Sequence, residues 1–301
     1  MPRILIDTDP GQDIDDLLAI LFALRRPELE ILAITTVTWP SDGRARLIRR
    51  LLRHLGRDGI PVAAGMQHPL RRMGADEVKR LHDPAWSMNH RCFAEPEEAV
   101  DAAQDDGVGL IIRTLMASRE PATLCCIAPL TNIACALVRE PAIAGRIERI
   151  LLMGGETALN RAEHNIAFDA VAADIVLNAG VPVVMGTWDV TRRFVLGVED
   201  LARFAASPLP LHQALSRAIT AWHPAQSWKP GPVMYDLFPF VQVFDTTYYT
   251  LAETRLQVVT EGPARGMTVP NGGSGGVAVQ VTAGVREREL RQFYLDTVFA
   301  A

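Results

Sequence analysis

The chain has 301 residues, 49% of them hydrophobic and 22% charged, with a formal net charge of −5. That length supports one large core or two smaller ones, and the acidic balance excludes the basic footprint that nucleic-acid binding requires. No apolar run approaches the roughly 18–20 residues that cross a bilayer, and no leader precedes the first strand-like segment, so a cytoplasmic protein with no membrane partner is expected.

Taken in chain order, residues 4–6 read as a strand, 15–25 as a helix, 31–37 as a strand and 44–55 as a helix, with a short strand at 61–64. A helix at 108–118, a strand at 122–127, a helix at 131–138, a strand at 147–153, a helix at 169–178 and a strand at 182–185 follow. Apolar strands alternating with helices predict right-handed β-α-β units and a mostly parallel central sheet flanked by helices, an α/β fold with a Rossmann-like core. After Thr191 the pattern changes. Residues 201–204 and 211–222 look helical, a Trp/Pro-rich stretch "WHPAQSWKPGPVMYDLFPF" follows, then strands at 255–260 and 277–281 and a charged helix from 285. "VPNGGSGGV" reads as a hairpin between strands, because it lacks the lysine and following helix of a phosphate loop. No linker or repeat divides the chain, so residues 1–301 are expected to form one domain with a helical C-terminal part. The cysteines form no C-x-x-C pair, and Cys125 and Cys126 lie in an apolar run as expected buried thiols of a reducing compartment.

The first strand leads into "ILIDTDPGQDIDD", where Asp7, Asp9, Asp13, Asp15 and Asp16 crowd together. Asp7 and Asp9 lie two apart, so their side chains are expected to leave in the same direction. The N-terminus of the next helix can favour one or two carboxylates, but each such contact is worth only ~0.3–1 kcal/mol. Clustered carboxylates at a buried edge otherwise raise one another's pKa values. A hard divalent cation resolves the conflict, and a flexible oxygen-only loop suits calcium. The pattern of an apolar strand running into DxD also fits a phosphatase of the haloacid-dehalogenase type. A later "GDxxxD" is missing, however, and the only lysines, Lys79 and Lys229, lie outside the strand-following loops.

"DTDPG" and "DDLLAI" resemble the signature of the nucleoside hydrolases, and the likeness continues in order. "ILAITTV", "IPVAAGMQHPLRR", "APLTNIACAL", "ILLMGG", "AEHNIAFDAVAADIVLNAG", "DVT" and "RGMTV" follow family patterns between residues 3 and 270. The resemblance implies a nucleoside hydrolase-like fold and calcium-dependent hydrolysis of the N-glycosidic bond of ribonucleosides to base and ribose. It implies a calcium ion held by Asp9, Asp16, Asp236 and the carbonyl of Ile127, and a water on that ion whose proton Asp9 takes. Asp15, Glu163 and Asn165 would hold ribose hydroxyls, and a homodimer or homotetramer is expected. An oxocarbenium-like sugar flanked by carboxylates makes physical sense of this set. Two other readings keep the fold: a hydrolase of another N-riboside, and a nucleoside- or ribose-binding protein without turnover.

The chain departs from the family pattern at several points. "DPGQDIDD" is two residues longer than the commonest form, which leaves open which of Asp13, Asp15 and Asp16 holds metal and which holds ribose. Trp39 stands where a polar loop is usual and could stack on a base. Asn160 could replace an asparagine that the short loop after "MGG" lacks. Tyr235 stands where many members carry the histidine that serves the leaving base; Tyr235 itself, His82, His164 and His223 are the candidates for that role, His82 foremost. Trp222 and Trp228 flank the Trp/Pro-rich stretch as possible stacking partners for the base.

Overall fold

A computed structural model describes residues 1–94, 106–270 and 275–300. The elements are β1 (Arg3–Thr8), α1 (Asp15–Leu24), β2 (Glu30–Thr36), α2 (Ser41–His54), β3 (Val62–Ala64), α3 (Ala75–Leu81), α4 (Pro84–Ser87), α5 (Gly107–Ala117), β4 (Ala122–Cys126) and α6 (Thr131–Arg139). They continue with β5 (Ile147–Met153), α7 (His164–Phe168), α8 (Ala170–Leu177), β6 (Val183–Gly186), α9 (Trp188–Thr191), α10 (Val198–Ala206), α11 (Pro210–Trp222) and α12 (Leu237–Gln242). Strands β7 (Tyr249–Val258), β8 (Thr268–Pro270) and β9 (Val277–Val285) and helix α13 (Glu287–Val298) complete the chain.

One sheet runs in the order β3-β2-β1-β4-β5-β6-β9-β7-β8. It is parallel from β3 through β9, and β7 lies antiparallel to both β9 and β8. The expected mostly parallel sheet flanked by helices is therefore present. The central strands read as unbroken apolar runs because both faces are covered. Side-chain alternation sends Ile4, Ile6, Cys125, Leu151 and Met153 into one core layer, and Leu5, Leu124, Cys126, Ile150 and Leu152 into the other. Helix α1 is buried along its whole length, which is why "DDLLAILFAL" shows little amphipathic spacing.

Strand order reverses between β1 and β4, where chain segments leave in opposite directions and open a crevice at the strands' C-terminal ends. The acidic loop begins there. Two expectations fail beyond Thr191. Strand β7 starts at Tyr249, well before residue 255, because most of its first half is exposed and carries Thr250 and Glu253 instead of an apolar run. The Gly-rich stretch lies partly outside the described residues, at 271–274, and it does not join a hairpin pair. Its flanking strands β8 and β9 each pair with β7, not with one another.

Candidate active site

Asp7 and Asp9 do not leave together. Asp7 is on the last turn of β1's pleat and bonds sideways within the sheet. It accepts hydrogen bonds from Thr35 Oγ1 at 2.6 Å and Asn132 Nδ2 at 2.8 Å, tying β1 to β2 and α6. Burial pushes its carboxyl up to about 7. Asp9 lies beyond the end of β1 at Thr8, where the two-residue alternation no longer applies, and its side chain lines a cavity of about 240 Å³.

Asp15 and Asp16 open α1, and Asp236 precedes α12. One carboxylate oxygen from each lies within 4.8 Å of the others, all three being buried. Asp16 is fixed by Thr8 Oγ1 at 2.6 Å and by the Asp9 backbone N–H at 3.1 Å. Asp15 Oδ2 is buried with no hydrogen-bond partner. Burial is the main force holding Asp9, Asp15 and Asp236 well above the usual carboxylate range. Repulsion adds to it, from Asp16 on Asp9, from Asp13 and Asp16 on Asp15, and from Asp15 and Asp16 on Asp236. Asp16 is raised to about 6, again by burial. An orphaned buried oxygen within a compact all-oxygen donor set fits a hard divalent cation. The cluster includes Asp15, which the family resemblance assigns to ribose; Asp9 and Ile127 line the same cavity.

A buried countercharge supports the loop from beneath. Arg44 of α2 is 1% exposed. Its Nη1 donates to the backbone oxygens of Asp9 and Pro10, and its Nη2 to that of Trp39. Sequence reading missed it, although Arg44 shares the inward stripe of Leu47, Ile48 and Leu51 at helical spacing.

On another wall, Glu163 caps α7 and accepts the backbone N–H groups of Gly155, Asn165 and Ile166 at 2.9–3.1 Å. Three such donors hold the carboxylate rigidly, although burial still lifts its pKa. Asn165 donates through Nδ2 to the Met153 oxygen at 3.1 Å, which leaves its Oδ1 for the cavity. Tyr235 and Trp228 also line the cavity. Burial, and then Asp15 and Asp13, make the Tyr235 phenol a weaker acid than a free one.

Five of the residues the sequence singled out, Trp39, His82, Asn160, Trp222 and His223, stand apart from this cavity's lining. His82 is exposed at the end of α3, with its ring 4.7 Å from that of Trp39 and its Nε2 3.1 Å from His68 Nε2. Trp39 packs on His82, and Asn160 is exposed, while its neighbour Arg161 reaches the cavity. His164 lines the cavity; His223 is exposed on the turn after α11, and Trp222 is a core residue at 0% exposure. Lys229, set aside in the sequence as remote from the strand ends, lines the cavity and pairs with Asp13. Trp188 also lines it, stacked beneath Arg161 at 3.9 Å and Arg192 at 4.4 Å. Nothing near Lys229 in the sequence marks its partner, which is 216 positions away.

The family model described as inosine-uridine preferring nucleoside hydrolase matches residues 4–292. A pyrimidine-specific ribonucleoside hydrolase, RihA, from Escherichia coli O9:H4 (strain HS) is 35% identical over 282 residues, covering 88% of this chain and 87% of that protein. The structure of a purine-preferring ribonucleoside hydrolase from Gardnerella vaginalis superposes with a TM-score of 0.85 at 25% identity, covering 98% of both chains. A plant nucleoside hydrolase gives a TM-score of 0.83 at 24% identity over 100% of this chain and 99% of its own.

Proposed function

The chain belongs to the inosine-uridine preferring nucleoside hydrolase family and is a hydrolase of N-glycosyl bonds in ribonucleosides; from that premise we propose that it works with calcium and that Asp9 is its general base. The observation that carries this reading is the buried convergence of Asp15, Asp16 and Asp236 on one point beside Asp9.

Asp16 and Asp236 of that cluster, with Asp9 and the Ile127 carbonyl of the same cavity, are the proposed holders of the cation, and Asp15 beside them faces the sugar. When bound, calcium lowers the pKa of water and neutralises the carboxylates' mutual repulsion. Asp9, held by Arg44 through its own backbone, takes the proton of the attacking water. Asp15, Glu163 and Asn165 hold the ribose hydroxyls, and the carboxylates of Asp15 and Glu163 stabilise the cationic sugar as the bond to the base lengthens. Glu163 needs little reorganisation for this, because its three backbone partners fix it before substrate arrives. Trp188, Trp228 and Tyr235 supply aromatic surface for the base.

Asp9→Asn tests the central role. It keeps the side chain's size and removes its basicity, so the melting temperature stays within a few degrees while ribose release falls on the order of 10²–10⁴-fold. Unchanged turnover in this variant would remove Asp9 from the mechanism.

A further inference from the structure

Lys229 is one of two lysines in the chain and is 5% exposed. Its Nζ pairs with Asp13 Oδ2, and Asp13 Oδ1 in turn accepts the Ile14 backbone N–H at 2.9 Å. The ammonium lies 5.1 Å from the ring centroids of Trp228 and Tyr235 and 5.8 Å from that of Trp222. A lysine carries three donors and no acceptor. Asp13 takes one of them, and the faces of Trp222, Trp228 and Tyr235 attract the ammonium by cation–π contact without offering it an oxygen or nitrogen acceptor.

A cation here cannot assist the sugar, which itself becomes positive during cleavage and would be repelled. It suits the opposite partner, the base, which leaves with the electron pair of the broken bond. Its partner Asp13 belongs to the acidic loop "DPGQDIDD", so that loop and the Trp/Pro-rich segment together build one feature.

We propose that Lys229 receives the leaving base: held by Asp13, its ammonium hydrogen-bonds a carbonyl oxygen or ring nitrogen of the base and stabilises the charge that collects there as the bond breaks. This rests on the nucleoside hydrolase reading above. The C1′–N pair departs on the base, the water oxygen bonds to C1′, the water proton passes to Asp9, and the base takes its proton from solvent. Lys229 is the catalytic residue of this step, and Asp13 is its positioning residue.

The test compares kcat/KM on uridine with kcat/KM on 4-nitrophenyl β-D-ribofuranoside, in calcium, for wild type, Lys229→Met, Lys229→Arg and Asp13→Asn. Nitrophenolate spreads its charge over its own nitro group and needs little help in leaving. Lys229→Met should lose on the order of 10²-fold on uridine, mostly in kcat, and far less on the nitrophenyl riboside. Lys229→Arg should retain most uridine activity, and Asp13→Asn should show the same selective loss as Lys229→Met in weaker form. Equal losses on both substrates, or no loss on uridine, overturn the proposal. Should Lys229→Met fail to fold, Asp13→Asn decides by the same criterion. If wild type leaves uridine intact, whichever of inosine, cytidine and adenosine it cleaves fastest takes uridine's place; wild-type protein that releases ribose from none of these four nor from the nitrophenyl riboside overturns the underlying hydrolase reading and this proposal with it, whereas activity on both substrates with parallel losses overturns this proposal alone.

Discussion

Arg44 shows how a single side chain can make an acidic loop tolerable. Its guanidinium has no surface role; it bonds two carbonyl oxygens at the turn that carries Asp9 and one, of Trp39, in the loop after β2. Arg44→Leu keeps the apolar stripe of α2 but leaves those acceptors without donors and the carboxylates above without a countercharge. The expected cost is about 3–5 kcal/mol, the range for breaking a buried charge contact, read from urea unfolding; a loss under ~1 kcal/mol would mean the loop supports itself. At this scale the sequence was informative wherever a residue's partners are near in the chain. Asp9, Asp15 and Asp16 stand out as a carboxylate cluster from strand-end and helix-start patterns, whereas Glu163 and Asn165 were marked only by the family resemblance. Lys229 was marked by neither, because its meaning comes from Asp13 at the far end of the chain. Asp7 was misjudged because a strand's alternation was extended past the strand's end.

Among the elements, α12 matters most to the site, since it follows Asp236 directly. It can lie close against the sheet because β6 ends in Gly186, where an added Cβ would meet Phe238 Cδ1 at 2.5 Å. Gly186→Ala should therefore push on α12 and on the carboxylate at its start. The expected result is a stability loss of about 1–3 kcal/mol from overpacking, together with weaker calcium binding by calorimetry; a stability loss with unaltered calcium affinity would separate α12's packing from Asp236's position. The alternating strands and helices as far as Thr191 were legible because each buries a long apolar run. Strand β7 was less so, since its exposed face replaces that run with polar residues, and β8, three residues long and antiparallel to β7, is too short to show a strand pattern.

For the whole molecule, the reversal of strand order between β1 and β4 gathers the start of the chain, Ile127 and Asp236 at one crevice. Folding thus forces carboxylates together, and this sets the pH dependence of the calcium-free protein. Asp16 and Asp7 are raised to about 6 and about 7, against roughly 3.9 for an unfolded aspartate. The folded state therefore binds protons that the unfolded state has released. The stability they contribute is complete below about pH 4 and is lost as pH rises through 6 and 7. Glu77, held at about 2 mainly by its hydrogen bond with Arg71, titrates below that window. Calcium-free protein should melt at a lower temperature near pH 8 than near pH 5. Added calcium should raise the melting temperature more near pH 8, because it requires the deprotonated carboxylates and binds only the folded chain. A calcium effect equal at both pH values would mean that the ion binds away from these groups.

The most direct measurement of the central claim is ribose released from inosine, uridine, cytidine and adenosine by protein stripped with a chelator and then titrated with calcium. Stripped protein should release none, and release from at least one nucleoside should return as calcium saturates the site. Release that chelation leaves untouched, or a folded protein that binds calcium and releases ribose from none of the four, would contradict that claim.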